Sequence, residues 1–195
     1  MDDLASIFQA RKTVIEMLLD RGYTITDELQ CDKITDFKQL YNNKKCDIQV
    51  KEPSPCYVKF VLLHKVRPNM LRDYINQIRE KNIGEADDLL LVIRNKPNST
   101  LLKITKEFKN IQIFWLRNLI INITHHSLNP KYRKLNESEI ETLTRQYNLS
   151  SRFQLPLMLN DDPISKYFGF KTGTVCEVKR NSHTNGDYIS YRCVK

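Results

Sequence analysis

This chain of 195 residues has only five glycines, and none stands at the spacing of a phosphate-binding loop or a dinucleotide fingerprint. No Gly-x-Ser-x-Gly occurs either, which removes the commonest hydrolase elbow. The five cysteines, Cys31, Cys46, Cys56, Cys176 and Cys193, are odd in number and include no Cys-x-x-Cys. That pattern argues against both a disulfide framework and a zinc ribbon. No apolar run approaches the roughly 20 residues that span a bilayer, so no membrane partner is expected. The opening MDDLASIF carries acid where a signal peptide carries base, and the protein is expected to be intracellular. Alanine is scarce beside abundant Ile, Asn and Lys, a bias that suggests an AT-rich genome.

What is present is a basic chain with enough apolar residues for a core. Its formal net charge of +8 favours polyanionic partners such as nucleic acid or an acidic protein surface. Leu4, Ile7, Phe8, Ile15 and Leu18 recur at helical spacing and end at Gly22. Thr35–Tyr41 is a second, shorter helix. The period then changes: Cys46–Val50 and Cys56–His64 read as strands. Pro68 opens a helix with Leu71, Tyr74, Ile75 and Ile78 on one face. Leu89–Ile93 is an unbroken apolar run, as expected of a strand covered on both sides. Ser99 is read as the cap of a helix through Phe108. Ile111–Leu116 and Leu119–Ile123 follow as further strands. This alternation implies an open α/β sheet.

The polar, basic run Ser127–Leu135 marks a boundary, dividing the chain into residues 1–127 and 128–195. In the second part Asn136, with Glu139 three residues on, forms a capping-box start for a helix to Tyr147. Asp162-Pro163 opens another helix, which Gly169 closes. Two strand-like runs, Thr174–Arg180 and Asp187–Val194, flank Asn185-Gly186 as a half-buried hairpin. Ile189, Tyr191 and Cys193 share one of its faces, and Tyr188, Ser190 and Arg192 the other.

No catalytic, cofactor or metal site emerges. His125 and His126 are adjacent and point apart on any regular element. His64 and His183 read as surface or structural residues. Asp161-Asp162 is explained by the helix it precedes. Asp47 with Gln49 and Lys51 resembles a metal-dependent nuclease pattern only weakly, because the spacing is short and Gln stands where a second acidic ligand belongs. The more informative charges are Lys96, Lys103, Lys106 and Lys109. Successive members from Lys103 onward are three apart on one helix and share a face that could touch phosphates. The competing reading is a solvated helix face opposite Leu101, Leu102 and Phe108.

Leu155-Pro156, Asp162-Pro163, Tyr167-Phe168-Gly169, Lys171-Thr172-Gly173 and Tyr188-Ile189-Ser190-Tyr191-Arg192 together resemble the C-terminal domain of the fifth subunit of eukaryotic nuclear RNA polymerases, a domain that archaea carry alone as a small polymerase chain. Leu119–His125 resembles the bridge into that domain, and Arg11–Thr26 the first helix of the eukaryotic N-terminal domain. The resemblance implies an α/β N-terminal jaw domain with an open mixed sheet, followed by a small α+β domain ending in a β-hairpin. It implies a non-catalytic polymerase subunit that anchors on the largest subunit, contacts other polymerase subunits, and helps hold downstream duplex DNA. It points to Lys96, Pro97, Lys103 and Lys106 as DNA-proximal, although of the family's Thr-Pro-Ser-Ala loop only Pro97 is kept in Asn95–Ser99. Tyr167, Lys171, Tyr188, Tyr191 and Arg192 are the expected assembly residues. The family's N-terminal domain is similar in fold to nucleases but is not known for cutting. The domain ahead of the hairpin implies a eukaryotic-type polymerase, acting in the nucleus if cellular, or in the virion and infected-cell cytoplasm if viral. The eroded loop and the composition tilt toward a large DNA virus. The alternatives are a metal-dependent nuclease-like enzyme and a free-standing basic nucleic-acid-binding protein.

Overall fold

The computed structural model describes residues 3–26, 33–43, 46–63, 66–81, 84, 87–108, 110–182 and 186–195. Cys31, His64, Lys109, His183 and Asn185, all named above, lie outside them. The chain forms two compact units, Met1–Ile121 and Asn122–Lys195. The division expected between residues 127 and 128 falls inside the second unit. Asn122 is already built into that unit, for its Nδ2 donates to the Tyr167 hydroxyl at 3.0 Å.

The first unit runs α1 (Asp3–Asp20), α2 (Ile34–Asn42), β1 (Ile48–Val50), β2 (Cys56–Val61), α3 (Pro68–Lys81), β3 (Asp88–Ile93), α4 (Ser99–Glu107) and β4 (Ile111–Trp115). Its sheet has the order β1-β2-β3-β4; β1 is antiparallel to β2, and the other neighbours are parallel. Leu89 to Ile93 are all buried, as a continuous apolar run requires. Leu89, Leu91 and Ile93 pack with Leu71, Ile75 and Ile104 of α3 and α4. Gln112 alternates with Ile111 and Ile113 and therefore points to the opposite face. There Arg21, just past α1, donates to Gln112 Oε1 at 2.7 Å, which places the end of α1 over that face.

The structure departs from two sequence expectations. Asn98, not Ser99, caps α4, its Oδ1 accepting from Leu101 N–H at 2.9 Å. The strand expected over Leu119–Ile123 is absent. Two 3-10 turns, Leu116–Leu119 and Ile123–His125, take its place. Leu116 and Leu119 are both buried three residues apart, the period of a 3-10 turn, whereas Ile121 is 75% exposed.

The second unit runs β5 (Lys131–Lys134), α5 (Glu137–Gln146), β6 (Leu157–Met158), α6 (Pro163–Phe168), β7 (Val175–Ser182) and β8 (Gly186–Val194). The sheet order is β5-β7-β8-β6. The expected capping box is present: Asn136 Oδ1 accepts from Glu139 N–H at 2.8 Å, and Glu139 Oε2 accepts from Asn136 N–H at 2.9 Å. Asp162 caps α6 through Ile164 N–H, and Gly169 ends it in the left-handed region at φ 66. β5 occupies the run read as a boundary. Lys131, Arg133 and Lys134 hide its alternation, and only Tyr132 turns inward.

The base of the hairpin is covered on both faces, not one. Val175 and Cys193 pack with Ile140 and Leu143 of α5, whereas Cys176, Val178 and Val194 pack with Met158 and Phe170. The buried thiols of Cys176 and Cys193 are core residues, and burial pushes both upward in pKa.

Candidate functional site

The parallel register aligns Val61, Ile93 and Trp115 at one end of the first sheet. The chain leaves all three strands at their carboxyl ends, where open α/β sheets place their ligand sites. The segment after β3 carries Arg94, Asn95, Lys96 and Pro97. Arg94 pairs with Asp3, and its carbonyl accepts the Trp115 indole N–H at 3.0 Å. The Arg117 guanidinium lies 5.8 Å from the Trp115 ring centre. Sheet register thus brings Arg94, Lys96 and Arg117 to one edge.

Lys96 is exposed and Pro97 half-buried. Lys103 is exposed on α4. Lys106 lies on the same helix, but its side chain is outside the described part. Sequence reasoning missed Arg117. The signal was the basic residue directly after an apolar strand, obscured by the further strand expected from Leu119.

Asp47 has a different role. Its Oδ2 accepts from Lys59 Nζ at 2.5 Å and from the Tyr57 hydroxyl at 3.1 Å, and its Oδ1 accepts from Phe60 N–H at 3.0 Å. Burial and then the charge of Asp47 push the Tyr57 hydroxyl up to about 12. A carboxylate held by three donors joins β1 to β2 and has little capacity left for a metal. Gln49 is exposed, two residues on and therefore on the same face of the strand as Asp47.

In the second unit the expected assembly residues separate. Tyr167 is only 3% exposed, so its ring is structural rather than an interface group. Its Tyr-Phe-Gly setting matched the family, but α6 turns this residue inward. It meets Phe168 edge-on with ring centres 5.1 Å apart. Lys171 and Tyr188 are exposed. Tyr191 is half-buried, edge-on to Tyr147 at 6.2 Å, and Arg192 is half-buried. Phe153, Tyr147 and Ile189 are large exposed side chains that sequence reasoning did not single out for an interface. Alternation sets Ile189 on the same face as the buried Cys193, but β8 runs past the helix that covers its base.

Two family profiles match the chain. RNA polymerase Rpb5, N-terminal domain, matches residues 2–110, and RNA polymerase Rpb5, C-terminal domain, matches residues 121–194. The chain belongs to the Rpb5 family. It is 33% identical over 201 residues to the DNA-directed RNA polymerases I, II, and III subunit rpabc1 of Dictyostelium discoideum, spanning 100% of each chain. It is 29% identical over 196 residues to the DNA-directed RNA polymerases IV and V subunit 5B of Arabidopsis thaliana, covering 96% of this chain and 88% of the relative. As an Rpb5 protein it is a non-catalytic, accessory subunit of a multi-subunit DNA-directed RNA polymerase, and other polymerase subunits are its partners. The Rpb5 architecture of an α/β unit followed by an α+β unit is the one seen. The nuclease-like alternative falls with this membership and with the engaged carboxylate of Asp47.

Proposed function

We propose that the second unit anchors the chain to the largest polymerase subunit while the first helps hold downstream duplex DNA during transcription. In this reading the first unit acts as a jaw domain and the second as an assembly domain. The observation that carries it is the gathering of Arg94, Lys96 and Arg117 at the carboxyl ends of the parallel strands β2, β3 and β4, with Lys103 exposed on α4. Such cations supply affinity for phosphates that is salt-dependent and indifferent to sequence. The anchoring role draws on Lys171, Tyr188, Tyr191 and Arg192, aromatic and cationic side chains of the kinds found at protein interfaces. The relatives are subunits of cellular polymerases, which supports action in the nucleus; they lend the virion reading no support.

Co-purification with a tagged largest subunit, followed by cross-linking to downstream DNA, tests both halves. Stoichiometric recovery is expected. Lys96→Glu with Lys103→Glu should weaken the DNA cross-link without releasing the chain. Arg192→Glu should release the chain without unfolding it. Failure to recover the large subunit removes the anchoring role. An unchanged cross-link in the double variant removes the DNA role. Tight, salt-sensitive DNA binding by the free chain without a polymerase complex would favour a free-standing nucleic-acid-binding protein.

A further inference from the structure

The two outer edges of the second sheet are built differently. β5, on one side, carries Lys131, Arg133 and Lys134 in four residues, a charged edge of the kind that repels a further strand. On the other side, β6 covers only Cys193 and Val194 of β8. The rest of that edge, Gly186 to Arg192, has no strand beside it among the described residues.

Hydrogen-bond direction shows which groups are left open. Val194 N–H donates inward, to Thr174 O of the β7 side, at 2.9 Å, and Cys193 N–H donates outward to Pro156 O at 3.0 Å. Alternation then turns the N–H and C=O of Asp187, Ile189 and Tyr191 outward. This stretch lacks Lys and Pro. Its one acidic group, Asp187, is met by Lys179 Nζ at 3.2 Å and Asn181 Nδ2 at 2.8 Å. Tyr188 and Ile189 are 37% and 52% exposed. An unguarded, aromatic-rich edge of this length is a template for strand pairing.

The two faces beside the edge differ in chemistry. Ile189 and Tyr191 lie on one. On the other, the register sets Arg180 opposite Tyr188 and Arg192 opposite Cys176. Arg180 Nε is buried without a hydrogen-bond partner, and neither arginine forms an ion pair among the described residues.

We infer that the β8 edge accepts an extended segment of a neighbouring polymerase chain as an added strand, with apolar side chains over Ile189 and Tyr191 and carboxylates over Arg180 and Arg192. Main-chain bonds supply affinity and the alternating side chains supply selectivity. This inference rests on the assembly role proposed for the second unit and names how that role is performed.

Residue-resolved amide hydrogen exchange of the full chain, free and within the polymerase, tests it. The N–H groups of Asp187, Ile189 and Tyr191 should slow by about tenfold or more on assembly, whereas those of Tyr188 and Ser190, already turned toward β7, change little. Ile189→Pro removes an outward N–H without breaking a bond to β7 and should weaken assembly about tenfold, while Ile189→Val should not. If Ile189→Pro fails to fold, the exchange comparison on the unmodified chain decides. If the chain assembles while the three amides exchange as in the free chain, strand addition is overturned and the assembly role survives. If the chain never enters the polymerase, the assembly role falls and this inference with it. Protection of the same amides in the free chain, with a dimer mass in sedimentation, would assign the edge to a second copy and overturn the proposal.

Discussion

Replacing Asp47 with Ala should destabilise the first unit without touching any chemistry. The substitution leaves Phe60 N–H, Lys59 Nζ and the Tyr57 hydroxyl without their shared acceptor. Lys59 and Asp47 side chains are 29% and 19% exposed, so the lysine recovers water and its ion pair adds little. The larger loss is the main-chain N–H and the tyrosine hydroxyl, both partly buried. Leaving such groups unsatisfied costs about 1–3 kcal/mol, which sets an expected loss of about 2 kcal/mol. For a unit of this size that corresponds to a fall in Tm of about 8 °C. Asp47→Asn keeps an acceptor for Phe60 N–H and should cost about half as much. Trp115 is the only tryptophan and lies on β4 of the same unit, so its fluorescence in a urea titration reports this unit alone. Stability within about 0.5 kcal/mol of the parent, the range of an unremarkable surface substitution, would refute the bracing role. So would Mg²⁺-dependent DNA cleavage by the parent chain that Asp47→Ala abolishes, because the carboxylate would then be a ligand rather than a brace.

Further outcomes follow from the same geometry. Asn122→Ala removes the donor to Tyr167 and the acceptor for Thr124 N–H, and should cost the second unit about 1–2 kcal/mol in thermal unfolding followed by circular dichroism. Gly169→Ala places a Cβ at φ 66 and should cost about 1 kcal/mol by the same measurement, without altering secondary structure. Burial pushes the Tyr23 hydroxyl up to about 12 from an ordinary 10. The folded chain therefore keeps a proton that the unfolded chain has lost. The Tyr23 contribution to stability should be full below about pH 10 and decline by about 1.4 kcal/mol per pH unit toward pH 12, and Tyr57, raised to the same value, adds a like slope. Tyr23→Phe should lessen the total slope by about 1.4 kcal/mol per pH unit in pH-dependent urea titrations; an equal slope in both chains would remove the assignment.

Much of the architecture was legible because it is local. Asp162-Pro163 and Gly169 bracket α6, and Asn136 with Glu139 starts α5, through bonds that span at most a few residues. The apolar run Leu89–Ile93 marks a central strand because parallel sheets are covered on both faces. β5 was illegible because its pairing with β7 is a main-chain property, and three of its four side chains are basic. The stretch from Leu119 misleads because β-branched residues favour strands until a tertiary partner decides otherwise. Here burial of Leu116 and Leu119 against α1 selects a 3-10 turn.

The candidate site divides the same way. Lys96, Lys103 and Arg192 could be named from charge and from the family's motifs. That Tyr167 faces inward, that Asp47 is already engaged, and that Arg117 joins Lys96 at one edge could not. Caps, turns and apolar periodicity are written in neighbouring residues, so the sequence alone determines the helices, the central strands and the family. Which side chains remain free to meet a partner depends on what packs over them from residues far along the chain, and only the tertiary structure decides that.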